Sequence, residues 1–177
     1  MRKILCLLPN KQQNLSGIYK YNVELIGILK KKYNIRTVHA GNAKSYIITL
    51  IYKFIYLPFF LLFNSNKFDS VLYPEEGFAF LRIFSFSKKN NIIVHDFRKI
   101  FNLNNKILFS EKIKQIYLNV NYLFLFKFSK VIVPSYFTKN LIVKHLNLHP
   151  KKTCVIPNII NFKDKNSSYS DKFKIIK

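Results

Sequence analysis

Cysteine is scarce in this 177-residue chain, and its scarcity bears on the compartment in which the protein works. The two cysteines, Cys6 and Cys154, each lie inside a short apolar run, ILCLL and TCVIP. A free thiol in such a run behaves as a small buried hydrophobic group. A disulfide framework is therefore disfavoured, and a reducing cytoplasm is the natural compartment.

Glycine is also scarce, with four residues in all, and the first loop contains only Gly17. The segment after the opening apolar run, PNKQQNLSGIYKYNVEL, contains neither G-x-G-x-x-G nor G-x-x-x-x-G-K-[ST]. An enzyme that uses nicotinamide dinucleotides and a P-loop NTPase are both disfavoured as a result. A single glycine before a helix still allows a phosphate or carboxylate to approach the exposed amides, so Gly17 is a candidate cleft residue.

Acidic side chains are the third scarcity: the chain has 8 Asp and Glu against 30 Lys and Arg, a formal net charge of +22. Such an excess predicts a positive field that attracts phosphate-rich partners or anionic lipid. Part of it accompanies a general abundance of Ile, Lys, Asn, Phe and Tyr, as an AT-rich coding sequence gives. The lysines are spread along the chain and no nucleic-acid-binding motif is present, so we expect no nucleic acid partner.

Short apolar runs alternate with longer amphipathic stretches along most of the chain. The short runs are rich in Ile and Val and apolar on both faces, as in strands of a parallel sheet covered by helices. The predicted strands are residues 3–8, 35–40, 69–73, 91–96, 130–134 and 153–157. Helical spacing is present at residues 18–29, 110–126 and 136–146. The alternation predicts an α/β fold with a doubly wound, mainly parallel sheet.

The stretch 110–126 also shows which side chains share a face of its helix. Recurrence at three- and four-residue steps places six apolar side chains together: Ile113, Ile116, Tyr117, Val120, Leu123 and Phe124. In a globular domain, an apolar face of this kind is usually the side by which a helix packs.

Polar residues follow three of the predicted strands. In doubly wound sheets, ligands bind outside the carboxyl ends of the strands, near the point where the strand order reverses. Ser135 and Asn158 each come after a predicted strand and its proline, so we predict both at this edge, where the main role expected of Ser135 is to cap the helix that begins with YFTKN. Glu75 and Glu76 follow the third strand, where they could bind substrate hydroxyls or simply begin the next helix.

Residues 45–63, SYIITLIYKFIYLPFFLLF, are nearly as long as the ~20 apolar residues that span a bilayer. Lys53 and Pro58 fall in the middle, and the alternation of strands and helices needs a helix here to cross back over the sheet. We therefore predict a helix that packs on the sheet and presents an aromatic, basic surface able to rest on a membrane. Together with the net charge, this predicts a cytoplasmic protein held peripherally at the inner face of the cell membrane.

The end of the chain resembles a known family of enzymes. The segment FSKVIVPSYFTKNLIVKHLNLHPKKTCVIPNIINF is similar to the end of the N-terminal domain in family-4 type glycosyltransferases, which have the GT-B fold. Residues 129–133 match the strand, 135–139 the start of the helix and 155–158 the closing turn. Gly17 resembles the glycine of the family's first loop, and NIIVHDFR resembles a strand that ends in a His-Asp pair.

Membership of that family would imply two Rossmann-like domains facing a cleft, with the acceptor on the N-terminal domain and the nucleotide-sugar donor on the C-terminal one. Residues 1–160 resemble only the N-terminal, acceptor-side domain, and residues 161–177 resemble a linker and the first strand of a missing donor-binding domain. The resemblance implies that His95 reaches the cleft and is catalytic, with Asp96 beside it. The alternative for His95 is a structural histidine bonded to the neighbouring loop. The chain departs from the family at Ile159, where glycine is usual.

Three functions from different classes are compatible with these features. The resemblance favours the N-terminal part of a retaining glycosyltransferase, which moves a sugar from a nucleotide-sugar donor to a polysaccharide or lipid-linked glycan. It implies no metal cofactor, and a separate donor-domain half would then be a partner. The second is an inactive remnant or binding module of such an enzyme, and the third is a basic nucleic-acid-binding protein. The other histidines, His39, His145 and His149, lack metal-site spacing and are expected to be structural or exposed.

Overall fold

A computed structural model describes residues 2–9, 17–40, 45–97 and 109–157 of the chain. The strands are β1 (Lys3–Leu8), β2 (Asn34–His39), β3 (Ser70–Tyr73), β4 (Lys89–Ile93), β5 (Lys130–Val133) and β6 (Thr153–Val155). They form one parallel sheet in the order β2-β1-β3-β4-β5-β6. The α-helices are α1 (Gly17–Lys30), α2 (Tyr46–Ile51), α3 (Leu57–Asn64), α4 (Phe109–Leu123) and α5 (Tyr136–Leu146). A π-helical turn, Tyr52–Tyr56, joins α2 to α3, and 3₁₀ helices occupy Ser65–Lys67, Glu76–Phe84, Phe124–Lys127 and Pro150–Lys152.

The strand order reverses between β1 and β3. β2 lies on one side of β1, whereas β3 to β6 follow on the other side in chain order. Cys6, in β1, pairs with Thr37 of β2 and with Leu72 of β3. In sheets of this order the ligand crevice lies beyond the carboxyl ends of the strands at the reversal. The arrangement confirms the predicted α/β fold with a doubly wound parallel sheet.

Helices cover both faces of the sheet because parallel crossovers are right-handed, so helices that lead to opposite sides of β1 fall on opposite faces. On one face, α1 packs Tyr21, Leu25 and Ile26 against β1, β3 and β4 in a small core. The other face holds the main core, to which α3, α5 and the 3₁₀ helices at Glu76–Phe84 and Phe124–Lys127 contribute. Its fully buried side chains include Leu5, Leu57, Leu61, Tyr73, Leu81, Ile92, Leu125, Phe128 and Ile142.

All six predicted strands are present, and the largest difference concerns β4, which ends at Ile93 instead of residue 96. β3 ends at Tyr73 because the following Pro74 has no N–H with which to continue the ladder. On that side the pairing of β4 ends at Ile92, and its pairing with β5 ends at Ile93. His95 and Asp96 therefore lie in the loop after β4, at the carboxyl edge.

α2, the π-helical turn and α3 run on from one another as one helical segment, residues 46–64, which we call the aromatic helix. As predicted, it packs on the sheet: Leu57, Pro58 and Leu61 are buried. By length and composition, Ile47–Lys67 could also cross a membrane, since these 21 residues have a mean hydropathy of 1.8 in their most apolar window. Only 17% of that window is buried in the domain, so most of the aromatic helix faces outwards.

α4 turns most of its apolar face outwards. Ile113, Ile116, Val120 and Leu123 are between 47% and 68% exposed. The inward side is fixed by the buried Asn121, whose Oδ1 accepts the backbone N–H of Phe80 at 3.0 Å and whose Nδ2 donates to the carbonyl of Tyr117 at 2.8 Å. A buried amide needs such partners, so it decides the rotation of the helix. These four side chains share one face, as the periodicity predicts, but that face is exposed.

Candidate functional site

An open cleft of about 820 Å³ lies at the carboxyl edge of the sheet, between the aromatic helix and α4. The loops after β3 and β4 contribute its charged side chains. The residues that matter for its chemistry are Lys53, Glu75, Glu76, His95, Asp96 and Tyr117. Its position matches the place where doubly wound sheets bind their ligands.

His95 enters this cleft from the loop after β4. Its Nε2 lies 3.1 Å from the carbonyl oxygen of Pro74, and because a carbonyl only accepts, Nε2 carries the proton and donates. The ring of Tyr21 packs edge-on against the imidazole, with 5.1 Å between centroids. Burial lowers the pKa of His95, and the bond to Pro74 opposes the shift. His95 is therefore neutral near pH 7, with Nδ1 as its acceptor nitrogen.

The carbonyl of Pro74 joins three elements by hydrogen bonds: the loop after β3, to which it belongs, the loop after β4 and α1. It also accepts from Nδ2 of the buried Asn22 in α1 at 3.2 Å, and the same amide donates to the carbonyl of Ile18 at 2.8 Å. Tyr21 donates its hydroxyl to the carbonyl of Ile156 at 3.1 Å. The orientation of the imidazole is thus set by α1 as well as by the loop that bears it.

Glu75 and Glu76 enter the cleft at the start of the 3₁₀ helix Glu76–Phe84. Burial raises the pKa of both carboxyls, that of Glu76 to about 7, where hydrogen bonds from backbone amides oppose the shift and the charge of Glu75 adds to it. Oε2 of Glu76 is buried and has no hydrogen-bond partner among the residues described. Leaving such an oxygen unpaired is costly, which is typical of a group that binds a ligand or a proton. Glu76 thus both begins a helix and lines the cleft.

Lys53 reaches the cleft from the π-helical turn of the aromatic helix. Its Nζ lies 4.4 Å from the ring centroid of Phe78 and 5.3 Å from that of Tyr117, within the range of cation–π attraction. Burial lowers the pKa of the ammonium, and the charges of Glu75 and Glu76 oppose the shift. The sequence predicts an outward basic surface for this helix, whereas Lys53, the one charged residue of 45–63, lines the cleft. Two aromatic rings and two carboxyls give the cation a compensated site inside the cleft.

Gly77 allows the ammonium to come this close. A Cβ at this position would lie 3.3 Å from Nζ of Lys53 and 3.7 Å from both Oε1 of Glu75 and Cε1 of Tyr117. The backbone cannot easily move away, because the hydroxyl of Tyr117 donates to the carbonyl of Gly77. A side chain at residue 77 would therefore push Nζ of Lys53 away by a few tenths of an ångström.

The structure brings three of the sequence-predicted site residues together, since His95, Asp96 and Glu75 all line the cleft. Gly17 begins α1, next to Ile18, which is also a lining residue. No described atom lies within 4 Å of the place a Cβ would occupy at Gly17, so packing does not require glycine there. The predicted approach of an anion to Gly17 stays a prediction.

Ser135 caps α5, as one of its two predicted roles requires. Its Oγ accepts the backbone N–H of Thr138 at 3.1 Å and lies 3.0 Å from Oγ1 of the same residue. A part for Ser135 in ligand binding stays a prediction. Asn158, the other residue predicted at this edge, lies outside the described residues.

The remaining histidines are packed or exposed, as expected. His145 stacks on Phe97 with 6.0 Å between centroids, and Nδ1 of the exposed His149 accepts the backbone N–H of Lys151. Within residues 2–9, 17–40, 45–97 and 109–157, no group of three or more His, Cys, Asp or Glu could hold a metal ion.

The cleft therefore combines a neutral imidazole, a carboxyl that titrates near neutral pH and a buried ammonium. The first can take a proton from a hydroxyl group, and the second can exchange hydrogen bonds with hydroxyls in either protonation state. The third can stabilise a developing negative charge. Lys53 and Tyr117 could not be predicted here from the sequence, because both lie on helices with a predominantly apolar pattern.

Comparison with known proteins supports the fold. No protein-family model and no curated protein matches the chain. It is similar to the solved structure of UDP-GlcNAc 2-epimerase from Methanocaldococcus jannaschii, with a TM-score of 0.53 and 12% identity over 88% of this chain and 45% of that one. It is also similar to HepE from Anabaena, solved in complex with UDP and glucose, with a TM-score of 0.50 and 15% identity over 90% of this chain and 45% of that one.

This chain spans less than half the length of either neighbour. At such low identities the likeness establishes an α/β, Rossmann-like fold and nothing narrower. The narrower resemblance to family 4 stays a prediction.

Proposed function

We propose that this chain is the acceptor-side half of a glycosyltransferase, which moves a sugar from a nucleotide-sugar donor to a polysaccharide or lipid-linked glycan. The observation that supports it is the cleft at the carboxyl edge, where His95, Glu75, Glu76 and Lys53 converge. The fold adds support, because the neighbour HepE was solved with UDP and glucose.

In this proposal a second domain holds the donor, either on the same polypeptide or on a partner. The support is that the chain covers 45% of each structural neighbour. We place the enzyme in the cytoplasm, at the inner face of the cell membrane. The free thiols of Cys6 and Cys154 fit a reducing compartment.

The cleft residues take the following roles in the proposed transfer. The acceptor hydroxyl gives its proton to Nδ1 of His95 while its oxygen forms the new bond to the sugar. The bond between the sugar and the diphosphate breaks, and the diphosphate leaves with the electron pair. The acceptor oxygen attacks the same face of the sugar that the diphosphate leaves, so the anomeric configuration is retained. Glu75 and Glu76 bind further hydroxyls, Lys53 stabilises negative charge and no metal ion takes part.

The test begins with the coding DNA beyond the codon for Lys177, which we expect to encode or adjoin a second Rossmann-like domain. The chain joined to that domain should transfer labelled sugar from UDP-glucose or UDP-GlcNAc to a glycan acceptor, and neither half should do so alone. Activity should survive a chelator such as EDTA.

Other outcomes would replace the proposal. Epimerisation of UDP-GlcNAc without transfer would indicate an epimerase. A joined protein that turns over neither donor would favour an inactive remnant or binding module. Loss of transfer on chelation would contradict the metal-free mechanism alone.

A further inference from the structure

The helices on either side of the cleft expose apolar side chains at several described positions. Ile51, Ile55 and Phe59 of the aromatic helix follow one another at four-residue steps, and each is about half exposed. With the exposed Ile116, Val120 and Leu123 of α4 they form what we call the apolar surface.

The two helices belong to one layer. Phe54 of the aromatic helix stacks on Phe80 of the intervening 3₁₀ helix at 5.2 Å between centroids, and it meets Tyr117 of α4 at 6.1 Å. Monomeric soluble domains rarely leave contiguous apolar patches of this kind uncovered. The inward side of α4 is held by Asn121, which leaves its exposed outward side available to a partner.

Charge indicates which partner. Residues 46–64 and 112–127 contain no Asp or Glu, and the basic Lys67 and Lys127 are exposed at the ends of the two helices. A second copy of the chain would bring another net charge of +22 against the first. An anionic lipid surface instead accepts both the apolar side chains and the lysines.

The aromatic helix fits a position on the membrane better than one across it. Leu57 and Leu61 are fully buried in the main core, which would lose them if the helix left the sheet. Lys53 would move from its site in the cleft into hydrocarbon, where a charge is costly.

We propose that the apolar surface rests on an anionic bilayer and that the cleft opens onto this bilayer, so that the acceptor is linked to a lipid. Phe54 and Ile113 connect the two features, because both line the cleft and both are about half exposed. The docking stands by itself, whereas the lipid-linked acceptor rests on the proposed glycosyltransferase function.

The docking is tested by flotation of the full chain with phosphatidylcholine vesicles that contain or lack phosphatidylglycerol. Binding should require phosphatidylglycerol and weaken as sodium chloride is added. The double variant Ile116→Asp/Val120→Asp should lose at least ~10-fold in affinity for these vesicles. Each acidic residue is repelled by the anionic surface, where one charge changes the affinity by about fivefold. The matched control is Val23→Asp/Ile28→Asp on α1, whose side chains are equally exposed on the opposite face of the sheet.

The proposal predicts that the control pair floats nearly as well as the unmodified chain, while circular dichroism shows both variants folded. Equal losses in the two variants would mean that net charge alone drives binding and would overturn the assignment of the surface. No binding to anionic vesicles at low salt would overturn the docking itself. Self-association without vesicle binding, abolished by Ile116→Asp/Val120→Asp, would show that the surface pairs with protein.

The acceptor is tested in the joined enzyme with methyl and octyl glucosides as probes. If a lipid chain runs from the cleft along Phe54 and Ile113, the octyl glucoside should have a KM at least ~10-fold lower than that of the methyl glucoside. Each buried methylene strengthens binding by up to about fourfold. Equal KM values would overturn the lipid-linked acceptor. Transfer to neither probe, with docking intact, would instead count against the glycosyltransferase function.

Discussion

His95 has one ring nitrogen committed to structure and one left for chemistry. Nε2 donates to Pro74, a role that a glutamine amide at this position can also fill, whereas Nδ1 has no counterpart in glutamine that takes up a proton. We therefore expect His95→Gln in the joined enzyme to fold normally and to lower kcat by ~10²–10⁴-fold, as loss of a general base does. Single-turnover transfer of labelled sugar and a urea titration measure the two quantities.

The control for His95 is His149→Ala, since His149 is exposed and bonds only a local backbone amide. It should leave kcat unchanged. Because burial lowers the pKa of His95, the acidic limb of the kcat profile should lie below the range of an ordinary histidine and vanish in His95→Gln. A purely structural histidine is indicated if His95→Gln keeps full activity.

Glu76 makes a pH-dependent contribution to stability. Its pKa rises from 4.5 in the unfolded chain to about 7 in the folded one, so between these values the folded state binds more protons. Stability therefore falls as pH rises through this window. Glu76→Gln stays neutral, so its free energy of unfolding should exceed that of the unmodified chain by an amount that grows by ~2 kcal/mol between about pH 5 and about pH 8.

Comparison of the two proteins measures the titration of Glu76 together with its electrostatic coupling to Glu75 and Lys53. Glu75 has a raised pKa and acts in the same direction, whereas His95 has a lowered pKa and acts in the opposite one. Both groups are present in both proteins. Glu24→Gln, on α1 outside the cleft, controls for the substitution itself. Parallel pH curves for Glu76→Gln and the unmodified chain would contradict the raised pKa.

At the level of elements, neighbouring leucines of α3 report whether the aromatic helix packs on the sheet. Leu61 is fully buried in the main core, whereas Leu62, the next residue along the helix, is 36% exposed. Leu61→Ala should lower the free energy of unfolding by about 2–5 kcal/mol, and Leu62→Ala by no more than about 0.5 kcal/mol. Urea titrations of the chain without lipid measure both. Small and equal losses would mean that the helix leaves the core.

Elements were predictable where one physical requirement dominates. The strands follow from short Ile- and Val-rich runs, and the cap at Ser135 follows from a hydroxyl placed before a helix. The rotation of α4 was not predictable, because it depends on the partners of one buried amide, Asn121, in another element. The place of Lys53 depends likewise on Phe78 and Glu75, which only the fold brings near.

At the level of the whole molecule, the sheet order explains why one edge collects the chemistry. The crossover after β1 leads to β2 on one side, and the crossover after β3 leads to β4 on the other side. This divergence at the reversal leaves the carboxyl edge open between β1 and β3. His95 and Glu75 come from the loops after two adjacent strands, so their meeting followed from the strand pattern. The depth of the cleft did not, because the aromatic helix and α4 form its walls through aromatic contacts that no local pattern encodes.

The net charge of +22 affects the whole domain, and its influence on folding should run opposite to its influence on membrane binding. Like charges repel in the compact state, so screening should stabilise the domain. We expect the free energy of unfolding to rise with sodium chloride up to about 0.15 M, where the screening length is ~8 Å, while binding to anionic vesicles falls.

Two exposed lysines after α1 allow this effect of charge to be separated from other effects of salt. Lys31→Gln/Lys32→Gln removes two charges on the face away from the apolar surface, and Lys31→Arg/Lys32→Arg keeps them. The first should unfold at higher urea in low salt and respond less to added salt, whereas the second should behave like the unmodified chain. If both variants kept the same salt response, long-range repulsion would not limit stability. The positive charge would then act only locally, where lysines meet the lipid surface.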